Sequence, residues 1–171
     1  MLSKNLEAAI NDQIKHELYS AYLYLSMSAH AESNNMPGAA KWLAKQAEEE
    51  QEHALKFYGY VHDRGGKVTL QAIAQPPAEF TSLLDIFEQV KEHEALVTSL
   101  IHRLYEMSVK ENDYASQVML QWFITEQVEE EKTVREIVAK FHMVADDPAS
   151  ILDLDRELGG RAPEPGEGAE R

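Results

Sequence analysis

Four glutamates fall at core-facing positions of four helical segments, one glutamate to each segment. Alternating steps of four and three residues, the seam spacing of bundled helices, place each of them in a row of mainly apolar residues. In the second segment, for example, the glutamate lies between Leu43 and Phe57, and His53 follows it by three residues on nearly the same side of the helix. The four are Glu17, Glu50, Glu94 and Glu130.

Carboxylates at such positions require positive charge beside them. Burying one unpaired carboxylate costs several kcal/mol, and no Lys or Arg occupies these positions. A single glutamate in a helix is most often solvated, but four in register between large apolar residues favour a buried cluster. Two divalent cations would balance the four charges. Carboxylate oxygens with one imidazole suit iron or manganese, and zinc competes for the same ligands.

The spacing matches the ligand plan of di-iron helical bundles. That plan takes one glutamate from each of two helices and a Glu-x-x-His motif from each of the other two. Glu17 and Glu94 are the single glutamates, and Glu50 with His53 forms one motif. In the fourth segment Gln127 stands three residues before Glu130, where the second Glu-x-x-His is expected. One metal position therefore lacks a histidine, and we expect its ion to be held more loosely.

Long segments with helical periodicity must position these side chains. The sequence predicts helices over about residues 4–33, 38–64, 80–110 and 113–143, with short turns inside each pair and a long Gly- and Pro-containing connection between the pairs. This is an all-α four-helix bundle with one crossover. Asp147 and Pro148 predict a short fifth helix over 148–158. We expect one domain over 1–158 and a disordered tail over 159–171, which is polar and rich in Pro and Gly.

Composition narrows the class of protein. The chain has 171 residues, a net charge of −14 and no cysteine. The charge argues against nucleic acid as a partner, and the lack of cysteine excludes disulfides, thiolate metal sites and iron–sulfur centres. The sequence shows no apolar signal segment and no run of 18 apolar residues. We therefore expect a cytoplasmic protein that does not bind membranes.

Four segments resemble the non-haem ferritins of bacteria and archaea, and the resemblance covers about residues 4–158. They are HELYSAYLYL, AEEEQEHA, KEHEALV and QWFITEQVEEEK, together with the GGKV…PP…EF connection. The resemblance implies an iron storage protein that assembles as a hollow homo-oligomer of 24 subunits. It also implies ferroxidase activity, in which O₂ or H₂O₂ oxidises Fe(II) to Fe(III) before ferric mineral forms inside the shell. The short fifth helix resembles the one that lines the symmetry channels of that shell.

The resemblance also implies roles for individual residues. One iron would be held by Glu17, Glu50 and His53. The second would be held by Glu94 and Glu130, with Glu50 bridging and Gln127 nearby as a ligand or catalytic group.

A third iron site is implied next to this pair. Its ligands map onto Glu49, Glu126 and Glu129, with Glu130 shared, and solvated surface acids are an equal alternative for the first three.

Three further residues carry predictions. Tyr24, seven residues after Glu17, is implied as a phenol beside the ligands or an electron donor, and a core tyrosine is the alternative. Haem is not expected, because Gln51 stands where haem-binding relatives have methionine. Trp122 is predicted to contribute packing.

The remaining histidines receive no ligand role. His16 and His93 point about 100° away from the adjacent ligands, so we expect them at the surface. The others, His30, His62, His102 and His142, show no ligand spacing among themselves.

Two rival functions fit the sequence less well. The closer one is a di-iron oxidase or peroxidase that stores no mineral, and the missing second histidine weighs against its retained cofactor. The other is a structural bundle with a solvated acidic surface, which fails on register because solvated acids should avoid positions between Leu43 and Phe57.

Overall fold

The computed structural model describes residues 2–144 and 147–160, and its regular structure there is five helices. They are α1 (Lys4–Ser33), α2 (Pro37–Asp63), α3 (Leu83–Lys110), α4 (Tyr114–Val144) and α5 (Pro148–Gly159). The predicted all-α fold is confirmed. The third helix begins three residues later than expected, because the Ser82 hydroxyl accepts a hydrogen bond from Asp85 N at 3.0 Å and caps the helix there. Residues 161–171 of the predicted tail lie outside the described residues.

Local signals in the sequence determine most helix ends. The Ser3 hydroxyl accepts from Leu6 N at 3.1 Å at the start of α1, and Asp147 accepts from Ser150 N at 3.0 Å at the start of α5. The turns after α1 and α3 each contain an asparagine with positive φ, Asn35 at 59° and Asn112 at 55°. Asparagine tolerates this conformation better than most residues, so both turns can stay short.

The helices pack as two antiparallel pairs, α1 with α2 and α3 with α4, and α1 also packs against α3. The interior contains two apolar clusters. Tyr24, Leu43 and Phe87 belong to the first, and Leu6, Phe57 and Ile101 belong to the second. The core-facing glutamates lie between the two clusters along the helices, so both ends of the glutamate layer are closed by close-packed side chains.

The crossover between α2 and α3 is an extended segment held against α1. Asn11 donates from Nδ2 to Lys67 O at 3.0 Å and accepts from Thr69 N at 2.7 Å. Further along, the Ser26 hydroxyl donates to Pro77 O at 2.6 Å. These bonds provide partners for backbone groups that a helix or sheet would otherwise satisfy.

The fifth helix caps the second. The Asp155 carboxylate is buried and accepts from Gly38 N at 3.1 Å and from Ala39 N at 2.8 Å, at an α2 N-terminus whose own cap residue, Met36, provides no side-chain bond. A Cβ at position 38 would lie 1.7 Å from Asp155 O, so only glycine permits this approach. None of the helices in the described part of the chain contains an apolar stretch of the length that a membrane span requires.

Candidate metal centre

The four core-facing glutamates project into one layer at the middle of the bundle. Glu17 on α1, Glu50 on α2 and Glu94 on α3 are each only 1% exposed, and Glu130 on α4 is partly buried. His53 is 6% exposed on the same side of α2 as Glu50. A solvated acidic surface, one of the two rival interpretations, is therefore wrong for the three most buried glutamates.

Three groups of these side chains are close enough to hold a metal ion. Within each group, one possible ligand atom per residue lies within 4.8 Å of the others. The groups are Glu17–Glu50–His53, Glu50–Glu94–Glu130 and His53–Glu126–Glu130. Glu50 belongs to the first two groups, so its carboxylate stands between two adjacent positions for a cation. This is the geometry expected of a bridging ligand.

The carboxylates differ in how the protein supports them. Glu94 accepts on both oxygens, from the Tyr24 hydroxyl and from Gln127 Nε2, the second at 3.1 Å. Glu17 accepts on Oε1 from Gln13 Nε2 at 2.9 Å. Glu17 Oε2, both oxygens of Glu50 and Oε2 of Glu130 are buried and receive no hydrogen bond from an amide, hydroxyl or backbone N–H, although Glu17 and Glu50 can share a proton when one of them is protonated. Buried carboxylate oxygens in native proteins are rarely left without a partner, so these four atoms indicate a cation.

No positive side chain fills that role. Within residues 2–144 and 147–160, no Lys or Arg forms an ion pair with any of the four glutamates. The nearest partner of Glu50 is the His53 ring, whose Nδ1 lies 3.5 Å from Glu50 Oε2. The hard oxygens and one imidazole fit ferrous iron, and they also fit manganese.

Burial shifts the protonation of the whole layer toward neutral forms. It raises the pKa of Glu17 to about 7 and the pKa of Glu50 and Glu130 well above the usual range, with further increases from the neighbouring carboxylates. Burial, aided by the Lys56 ammonium, lowers the pKa of His53 to about 4. A neutral imidazole is the form that binds metal, whereas the carboxyls must release protons when a cation enters.

The third group differs in part from the residues implied for a third iron site. Glu126 joins His53 and Glu130. Glu49 is partly buried and close enough to Glu130 to help raise its pKa. Glu129 is exposed and belongs to none of the three groups. The third site stays a prediction, and for Glu129 the solvated alternative fits its position.

Tyr24 is completely buried beside the layer, and its pKa is raised well above the usual value by burial and then by Glu94 and Glu50. The hydroxyl therefore remains protonated and donates to Glu94. Both predicted interpretations, a core tyrosine and a phenol beside the ligands, describe this position.

The predicted surface position of His93 is wrong. Its Nε2 lies 2.7 Å from the Ser20 hydroxyl, and its ring packs 5.8 Å from that of Tyr24 and 5.9 Å from that of Tyr19. Helix α1 covers this side of α3, so a 100° turn from Glu94 leads into a helix interface. His16 is also partly buried.

Trp122 lies at the edge of the site and is 39% exposed. Its ring centroid lies 5.4 Å from that of His53, and the Lys56 ammonium lies 3.6 Å above the indole. Trp122 therefore packs against one side of the His53 ring. Gln51, the residue behind the haem prediction, is exposed on α2, and the absence of haem stays a prediction.

Two residues that support the site lacked a specific prediction. They are Gln13 and Thr98. Each stands four residues from a ligand, Gln13 before Glu17 and Thr98 after Glu94. Polar residues at this spacing share a helix face, and that spacing was the available signal.

The family model described as a ferritin-like domain matches residues 7–144. The chain belongs to the ferritin family. A bacterial non-heme ferritin of Staphylococcus aureus is 36% identical over 161 residues, which cover 94% of this chain and 97% of the relative. A probable bacterial non-heme ferritin-like protein of Haemophilus influenzae is 38% identical over 159 residues, or 93% of this chain and 96% of the relative.

Solved ferritin structures resemble the whole bundle. The open-pore ferritin of the archaeon Archaeoglobus fulgidus superimposes with a TM-score of 0.93 and 44% identity, covering 95% of this chain and 100% of that one. A structure described as a humanized archaeal ferritin gives a TM-score of 0.94 at 43% identity. The resemblance to non-haem ferritins of bacteria and archaea is confirmed.

Proposed function

We propose that this ferritin stores iron, and that it oxidises ferrous iron at the glutamate layer before storage. The observation that supports this most strongly is the position of Glu50. Both of its oxygens are buried and receive no hydrogen bond from an amide, hydroxyl or backbone N–H, and its carboxylate belongs to two adjacent ligand groups. A carboxylate in this position can bridge two cations and hold them close enough to share one oxidant.

The substrate ions would enter in exchange for protons. Because burial raises the pKa of Glu17, Glu50 and Glu130, the empty layer carries less charge than four carboxylates would at neutral pH. Ferrous iron would displace those protons and restore the charged ligands. Glu17, Glu50 and His53 would hold the first ion, and Glu50, Glu94 and Glu130 the second. The second position lacks a histidine, so we expect it to release its ion more readily.

The reaction balances with either oxidant. Two ferrous ions lose one electron each, and O₂ takes both electrons with two protons to form H₂O₂. With H₂O₂ as the oxidant, two electrons and two protons yield two molecules of water. The anionic oxygen ligands stabilise the ferric product more than the ferrous substrate, which favours the loss of electrons. Tyr24 donates a hydrogen bond to Glu94, and the electron-donor role that the family resemblance implies for it stays a prediction outside this two-electron balance.

Storage requires an assembly around a cavity. The structural relatives are described as ferritins, one of them as open-pore, and we propose that this chain likewise forms a homo-oligomeric shell that encloses ferric mineral. A shell of 24 subunits and a cytoplasmic location stay predictions.

Co-elution of iron with the shell tests the proposal. Apo-protein is mixed with excess ferrous iron in air, and size exclusion records protein and ferric absorbance together. We expect both in one large soluble particle. The Glu50→Ala/Glu130→Ala variant should oxidise iron no faster than buffer, while the exposed control Glu136→Ala on α4 should match the wild type.

Two other results would contradict parts of the proposal. Rapid oxidation with precipitated iron and a small protein peak would support the rival oxidase that stores no mineral. If the wild type oxidised ferrous iron no faster than buffer alone, the proposed ferroxidase activity would be wrong.

A further inference from the structure

A hydrogen-bonded chain leads from the second iron position to the outer side of the α3–α4 interface. Gln127 Nε2 lies 3.1 Å from Glu94 Oε2, 3.3 Å from Glu94 O and 3.1 Å from Thr98 Oγ1. The Thr98 hydroxyl in turn lies 2.5 Å from Glu131 Oε1. Neither Thr98 nor Glu131 belongs to a ligand group.

The partners of Thr98 determine the direction of this chain. The Thr98 hydroxyl donates to Glu131 Oε1, so its single proton points to Glu131. The Thr98 oxygen must then accept from Gln127. The other two neighbours of the amide, the carbonyl and the carboxylate of Glu94, are also acceptors. All three contacts therefore require that Gln127 presents its NH₂ group, and not its carbonyl oxygen, to Thr98 and Glu94.

We propose that Thr98 and Glu131 are positioning residues, which hold Gln127 so that its carbonyl oxygen is the atom available to the second ferrous ion. The inference rests on the proposed function and deepens it. An amide nitrogen has no free lone pair for a metal, whereas an amide oxygen is a hard neutral ligand suited to ferrous iron. The orientation of one amide therefore decides whether Gln127 can contribute to the position that lacks a histidine.

Glu131 strengthens this orientation because it removes the only proton that Thr98 could turn toward Gln127. The two Glu94 acceptors favour the same orientation of the amide in every variant. In a Glu131→Gln variant, the new amide can donate to Thr98 Oγ1. The Thr98 proton is then free to point at Gln127, and the amide of Gln127 can rotate its oxygen away from the ion. Thr98→Val removes the acceptor itself, whereas Thr98→Ser retains the hydroxyl.

Anaerobic calorimetry with ferrous iron measures the effect without any oxidation step. The wild-type protein should bind two ferrous ions per chain. In Thr98→Val and Glu131→Gln the second ion should bind roughly tenfold more weakly, the effect of one lost hydrogen bond, while the first ion binds as before. Thr98→Ser should restore the wild-type affinity. The double variant should bind no more weakly than either single variant, because both changes release the same amide.

Matched controls separate this role from packing. Thr125→Val removes a hydroxyl that donates only to its own helix, at Gln121 O, and Glu136→Gln neutralises an exposed acid on α4. Both should bind two ions like the wild type. The thermal midpoint of each apo variant confirms that it is folded.

Different results would contradict the inference and the proposed function on which it rests. Wild-type affinity for the second ion in Thr98→Val would overturn the inference, and so would equal weakening of both ions. A wild-type protein that binds no ferrous iron would instead overturn the proposed function on which the inference rests.

Discussion

Two polar clusters in this bundle, one buried and one partly buried, are built on opposite principles. The glutamate layer (Glu17, Glu50, Glu94 and Glu130) brings acids together with no cationic side chain. Near one end of the bundle, the Arg64 cluster (Tyr60, Arg64, Asp113 and Ser116) supplies every charge with a partner. The Arg64 guanidinium binds both Asp113 oxygens at 2.9 Å, and the Tyr60 hydroxyl lies 2.8 Å from Ser116 Oγ.

The protonation of the two clusters shows the same contrast. The Arg64 guanidinium lowers the pKa of Asp113 below its usual value, so this acid is stabilised in its charged form. Burial raises the pKa of Glu17 to about 7, so that acid is stabilised in its neutral form. The Arg64 cluster, in which each charge has a partner within the protein, stabilises the fold without a bound ion. The glutamate layer destabilises the empty fold and recovers that free energy only when a cation binds.

The largest expected difference is the response to metal. Ferrous iron under argon, at about 100 times its dissociation constant, should stabilise the folded protein by roughly 3 kcal/mol for each bound ion. Calorimetric melting should show a clear increase in Tm for the wild type and none for Glu50→Gln/Glu130→Gln. Asp113→Asn, which alters only the Arg64 cluster, should retain the full response. An unchanged wild-type Tm would mean that the layer does not hold metal.

The next difference is the pH dependence of Glu17→Gln. A carboxyl whose pKa is raised from 4.5 to about 7 stabilises the folded state below pH 4.5, and this contribution is lost as the pH rises through 7. The apo variant should therefore gain stability over the wild type as the pH increases from 4.5 to 7, by up to about 3 kcal/mol. Denaturant unfolding at several pH values measures this difference.

His53 contributes to the stability of both the wild type and Glu17→Gln, and its contribution changes with pH in the opposite direction. Its pKa is lowered to about 4, so it stabilises the folded state above pH 6.5 and this contribution disappears as the pH falls. Comparing the variant with the wild type at each pH cancels this common term. A difference that shrinks with rising pH would contradict the raised pKa of Glu17.

Substitutions in the Arg64 cluster should have the opposite effect on stability. Asp113→Ala removes the partner of Arg64 and also the acceptor of Ser116 N at 3.1 Å, which caps α4. We expect a loss of about 2 kcal/mol in denaturant unfolding at pH 7. Asp113→Asn keeps an acceptor for the cap and should lose about half as much. Below pH 3.8 the ion pair weakens, so the two variants should approach the wild type as Asp113 is protonated.

The sequence predicts a region well only where a regular apolar spacing extends over a long helix, and this condition separates the two clusters. The glutamate layer follows from four helices of 27 to 31 residues with a regular apolar spacing, so the registers of Glu50 and Glu94 are strongly constrained. The Arg64 cluster joins residues 49 positions apart at helix ends. Neither residue stands out from other surface charges, and only the folded chain brings them together.

The same limit explains the local errors and omissions. The position of His93 depends on which helix covers α3, and a helical wheel does not contain that information. The Asp155 cap on α2 joins groups 117 and 116 residues apart. The partners of the Gln127 amide, Glu94 and Thr98, lie 33 and 29 residues away on another helix. Periodicity predicts which residues face the core but not which partner each one meets there.

The smallest expected effect concerns Tyr24, which joins the layer to the apolar cluster beside it. Tyr24→Phe removes one of the two donors to Glu94 and leaves the ring in place. Ferrous affinity under argon should fall by about 1 kcal/mol, because a charged Glu94 loses one hydrogen bond, and the stoichiometry should remain two ions per chain. The half-exposed Tyr22 provides the control, and Tyr22→Phe should bind like the wild type. If Tyr24 also donates an electron, stopped-flow oxidation in air should be slower in Tyr24→Phe even at saturating iron, whereas a purely structural phenol would leave the saturated rate unchanged.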